Sequence, residues 1–109
     1  MIANANAAPT TQAAPLVTWI AGEHLEEMID AWARETHAGD AYNLTAHALL
    51  TDMALEGRDL EGAAVAAETT GEEVTAYGWR RLANDVRLEA VAILTGLRAG
   101  RSLDDLAAG

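Results

Sequence analysis

Gly57-Arg58-Asp59-Leu60-Glu61-Gly62 is the stretch on which the fold of this chain turns, because its pattern occurs twice more. Gly22-Glu23-His24-Leu25-Glu26-Glu27 and Gly100-Arg101-Ser102-Leu103-Asp104-Asp105 follow the same plan. A glycine frees the backbone to end or turn a helix, and two residues later comes a capping-type side chain. Then follow a leucine to enter the core and acids suited to the positive end of a new helix. Read as three helix starts, the phrase predicts an all-α chain of short helices joined by sharp corners.

The segments between these corners keep helical spacing. Leu25, Met28, Ile29 and Trp32 form one buried stripe of a first helix over about 24–37, with Glu26, Glu27, Asp30 and Glu35 on its other side. Gly39-Asp40 then breaks and caps. A second helix over about 41–56 turns Tyr42, Ala46, Leu49, Leu50 and Met53 inward and stops at Gly57. A short third helix, about 60–67, carries alanines at 63, 64, 66 and 67 that allow close backbone approach. Thr70-Gly71-Glu72-Glu73 is a capping box opening a fourth helix to about 83, with Val74, Tyr77, Trp79 and Leu82. A fifth, about 85–99, is apolar nearly all round and belongs at the centre of the domain or in a subunit interface. Gly100 stops it, and Ser102 with Asp105 opens a sixth. Strand signals are absent. The expected fold is a compact bundle of five or six short helices with helix-turn-helix-like corners. It forms a single domain over 17–109, after a flexible or extended N-terminal arm of residues 1–16 that has neither charge nor a helical stripe.

At 109 residues the chain is one domain, and its 50% hydrophobic content marks it as globular. Alanine dominates that content and phenylalanine is missing, so the core is expected to be thin, anchored by Trp19, Trp32, Trp79, Tyr42 and Tyr77. The absence of cysteine excludes disulfides, thiolate zinc sites and cysteine nucleophiles. Seventeen acids against seven arginines, with no lysine, leave a net charge of −10. Residues 1–56 hold eight acids and only Arg34; residues 57–109 hold nine acids and six arginines. Such a balance disfavours nucleic acid and anionic membranes unless the arginines gather on one surface. No signal-peptide pattern opens the chain, and its longest apolar run, 16–21, is far short of a membrane span. A cytoplasmic location without membrane contact is expected. Asn43-Leu44-Thr45 matches a glycosylation acceptor but lacks a secretory context.

The segment Gly57-Arg58-Asp59-Leu60 … Ala64 … Thr70 … Val74 … Trp79-Arg80-Arg81-Leu82 resembles bacterial and phage helix-turn-helix segments of the Myb-like type. In those, a Gly-Arg-Ser-Leu start leads a supporting helix and Arg-Arg-Leu closes the recognition helix. Residues 92–109 resemble a second copy that stops before its reading helix. The resemblance implies DNA contacts through Thr75, Tyr77, Arg80 and Arg81. Three departures stand against it: Glu68 lies where the turn glycine belongs, Glu72 and Glu73 occupy the start of the reading helix, and the second unit is truncated.

Candidate chemistry is sparse. His24, His37 and His47 lack the adjacent-turn spacing of metal ligands, so no metal and no cofactor are expected. No phosphate loop, nucleophile elbow or serine–histidine–acid grouping is present, and Ser102, the one serine, is explained by capping. An enzyme is not expected. The acidic row Glu23, Glu26, Glu27 and Asp30 and the segment Tyr77-Gly78-Trp79-Arg80-Arg81 are the candidate partner-binding surfaces, because aromatic and arginine side chains anchor interfaces. The sequence therefore predicts a small acidic helical protein that works by protein–protein binding to a basic partner or a second copy, as a homo-oligomer. A phage or mobile-element assembly component or inhibitor fits this profile; the alternative is a helix-turn-helix transcriptional regulator.

Overall fold

A computed structural model describes residues 17–38 and 42–108. Among the described residues the chain is all-α, as expected, but it forms four helices rather than five or six. They are α1 (Gly22–His37), α2 (Leu44–Thr69), α3 (Glu73–Arg98) and α4 (Leu103–Ala108). The expected arm, 1–16, and the Gly39-Asp40 break lie outside the described residues.

The frame is an antiparallel hairpin of α2 and α3, each 26 residues and so about 39 Å long. Each absorbs two of the expected short helices. The predicted corner at Gly57 does not exist, because this glycine is required for packing. A Cβ there would lie 3.0 Å from Arg87 Nε on the facing helix. No breaker interrupts the chain between Ala83 and Asp85 either, and Asn84 turns its side chain inward. Asn43 starts α2 by accepting from the Ala46 amide at 3.0 Å, so the acceptor-like tripeptide is a helix cap.

The stop at Gly100 does occur, and Gly71, expected inside the start of a fourth helix, is a second one; both have left-handed backbones (φ 89° and 78°). Gly71 N–H donates to Glu68 C=O and Glu72 N–H to Ala67 C=O; Gly100 and Arg101 repeat this with Leu97 and Gly96. Paired bonds of this kind satisfy the last carbonyls of a helix. They also displace the capping box predicted at Thr70. That residue ends α2 instead of starting α3, and its hydroxyl lies 3.0 Å from Ala67 C=O and 2.7 Å from Glu72. The box at Ser102 and Asp105 forms reciprocally, at 3.1 and 3.3 Å.

α1 lies across one side of the hairpin. Its Leu25, Ile29 and Trp32 join Ala46, Leu50, Met53, Ala54, Ala90 and Leu94 in the main core. Toward the α2–α3 turn, the buried cluster shrinks to Ala64, Ala67 and Ala76. Of the five expected aromatic anchors only Trp32 is buried. Tyr42 is half-buried, stacked on Trp32, while Trp19, Tyr77 and Trp79 are exposed. α2 and α3 approach closely through alanine and glycine, leaving no space between them for a large ring.

Candidate protein-binding surfaces

Seven-residue spacing assigns the faces of α3. Ala76, Ala83 and Ala90 point into the hairpin and are buried. Tyr77, Asn84 and Val91 fall on the flank toward α1, and Trp79, Val86 and Ile93 on the opposite flank. The candidate segment Tyr77–Arg81 is therefore divided between two surfaces.

On the α1 side, the extended residues leading into α1 are clamped to α3. Ile20 N–H donates to Asn84 Oδ1 at 2.8 Å, and Asn84 Nδ2 donates to Thr18 C=O at 2.7 Å. One side-chain amide thus satisfies both backbone groups, as a neighbouring strand would. Arg87, 5% exposed, donates to Glu61 at 2.7 Å, and its other terminal nitrogen reaches 3.5 Å from Ile20 C=O. Gly22 and Gly57 leave room for this guanidinium, since a Cβ on Gly22 would lie 2.8 Å from Arg87 Nη2. Trp19 meets Tyr77 edge-on with centroids 6.2 Å apart. A small cleft of about 240 Å³ lies between Trp19, Glu61, Arg80, Asn84 and Arg87.

The arginines of the predicted surface are held by neighbours. Arg80 makes a two-pronged pair with Glu68 at 2.6 and 2.8 Å. That bonding raises the Arg80 pKa and holds the Glu68 carboxyl below its ordinary value. Arg81 donates to the Tyr77 hydroxyl at 3.2 Å, which raises its pKa, and lies 6.0 Å from the Tyr77 ring centre. Arg58 pairs with Glu26, and Arg98 with Glu35 at 2.7 Å. In the acidic row of α1, Glu26 is thus neutralised, while Glu23, Glu27 and Asp30 are exposed and form no ion pair among the described residues. Thr75 is exposed on α3.

The histidines do not converge. His24 is exposed, His37 meets Tyr42 edge-on at 4.7 Å, and His47 stacks on Trp32 at 6.3 Å. Among the described residues no three histidine, cysteine, aspartate or glutamate side chains are grouped as metal ligands. No helix among them is long and apolar enough to cross a membrane.

Sequence reasoning missed Asn84, Arg87 and Glu61. The available signal was two polar residues, 84 and 87, three apart on the flank of the helix that adjoins its core alanines. In the comparisons with known proteins, no family model, no curated protein and no solved structure matches the chain. Its surfaces are therefore the guide to its function.

Proposed function

We propose that this chain acts without catalysis, as an acidic helical hairpin that binds a basic partner protein. The observation that carries this reading is the engagement of its cations. Four of the seven arginines, Arg58, Arg80, Arg87 and Arg98, each pair with a glutamate of the same chain, while Glu23, Glu27 and Asp30 have no such partner among the described residues. A surface of that kind repels polyanions and attracts cationic proteins. The exposed Tyr77 on the flank toward α1, and Trp79 and Leu82 on the other, supply the apolar contacts that charge alone lacks. A phage or mobile-element assembly component, or an inhibitor presenting nucleic-acid-like charge, is consistent with such a surface.

The test is affinity capture from the native host, with mass measurement of the complex and a gel shift on random duplex DNA at low salt. The expected result is a basic protein in fixed stoichiometry, weakened by Glu23→Gln with Glu27→Gln, and no DNA shift. A shift that weakens steeply with salt and vanishes in Arg80→Ala with Arg81→Ala would overturn the proposal in favour of a DNA-binding regulator.

A further inference from the structure

Among the described residues, no element covers the face of the hairpin turned away from α1 along most of its length. It carries Leu60 from α2 and Trp79, Leu82 and Val86 from α3, on flanks that meet along the α2–α3 seam. Leu82 is 50% exposed and Trp79 36%, while Leu60 and Val86 are half-buried. At the base, α4 lies against α3 on its outer side, where a side chain on Gly96 would collide with Leu106. The strip therefore runs from there toward the turn.

Its borders are acidic. Glu56 stands one residue before Gly57, which contacts Arg87, so Glu56 and Glu89 flank the strip at nearly the same height from opposite helices. Both are exposed, and neither is in an ion pair among the described residues. Helical spacing puts no arginine on this face; the paired ones, Arg58, Arg80, Arg87 and Arg98, bond to glutamates on the core or α1 side. A second copy docked here would bring acids against acids.

We infer that this strip is a groove for an amphipathic helix of the partner, with its apolar stripe on Leu60, Trp79 and Leu82 and lysine or arginine side chains against Glu56 and Glu89. The inference rests on the reading of the chain as a binder of a basic protein and gives that partner a secondary structure and a register. Apolar anchors in a two-helix groove supply the contact area of such a complex, and the flanking charges fix orientation and exclude wrong partners.

The experiment titrates the full chain with two labelled synthetic helices, of leucine and lysine or of leucine and glutamate, each with leucine at i, i+3, i+4 and i+7, and follows anisotropy. Wild type is expected to bind the lysine peptide at least about tenfold more tightly than the glutamate peptide. Leu82→Asp, which adds negative charge, should weaken lysine-peptide binding by about tenfold or more. Glu56→Arg with Glu89→Arg should invert the preference. Glu73→Gln, a charge change at the start of α3, should leave peptide binding nearly as it was. Retained helicity shows that each variant is folded. Equal lysine-peptide binding by wild type, Leu82→Asp and the double-arginine variant overturns the groove. A dimer by light scattering that Leu82→Asp dissociates also overturns it, by naming a second copy as the occupant. If host capture depends on Glu23 and Glu27 but not on Leu82, the groove fails while the broader binding function stands.

Discussion

The base and the tip of the α2–α3 hairpin share two continuous helices but are packed by different means. At the base, α1 adds a third layer, and Leu25, Ile29, Trp32, Leu50 and Leu94 fill it. At the tip there are two layers only, closed by Ala64, Ala67 and Ala76. Alanine contacts bury little area, so the tip takes its stability from helix continuity, the Gly71 turn and ion pairs more than from hydrophobic burial. The same thinness leaves Val65, Tyr77, Trp79 and Leu82 in solvent. The base holds the fold, and the tip presents surface.

That division breaks most readily in the core. Leu94→Ala should cost about 2–5 kcal/mol in denaturant unfolding, because it leaves a cavity among fully buried neighbours. Val65→Ala and Val74→Ala at the tip should stay within about 0.5 kcal/mol. Equal losses at both ends would mean that the tip is covered in solution.

The next effect is at the clamp that ties the residues before α1 to α3. Asn84→Ala removes both bonds to Thr18 and Ile20 and should cost about 1–3 kcal/mol. Its readout is amide exchange at Ile20, whose protection should be lost while that of α2 persists. Unchanged exchange at Ile20 would show that α1 packing alone holds this stretch.

Smaller changes come from the glycines. Gly62 and Gly78 are helical, with open space where an alanine methyl would stand, so Gly62→Ala and Gly78→Ala should each stabilise by about 0.5–1 kcal/mol. Gly57→Ala should gain nothing, because its methyl presses on Arg87. Melting curves of the three variants separate a packing glycine from two unconstrained ones.

The smallest effect is electrostatic. Arg80 lowers the folded-state pKa of Glu68, so the pair adds stability that is present above the unfolded carboxylate value and is lost as pH falls through the folded one. The stability gap between wild type and Glu68→Gln should therefore close on acidification, and it should narrow with salt because the pair is exposed. A gap that is constant with pH would remove the ion pair from the account of the tip.

The all-α class and the stop at Gly100 were legible in the sequence, because a left-handed glycine after a helix is a local feature; Gly71 serves the same way but is masked in sequence by the capping-box pattern around it. Helix length was not. Gly57 and Gly100 open similar phrases, yet one admits a guanidinium from thirty residues along the chain and the other turns the backbone. Local pattern cannot separate these uses. Nor could size reveal that Trp19 and Trp79 face solvent, since that follows from how closely the alanines let two helices approach. The acidic row of α1 was readable as a surface, but the pairing of Glu26 with Arg58 and the division of Tyr77 from Trp79 depend on the tertiary arrangement.

Asn84 grips main-chain atoms at both of its contacts and ignores the side chains of Thr18 and Ile20. The identity of exposed Thr18 is therefore free to drift without loosening its attachment, whereas Ile20 also packs its side chain on the core, and loss of the amide hydrogen at position 20, as proline would cause, cancels half of the grip. What evolution has to preserve here is one carboxamide and the direction of a backbone.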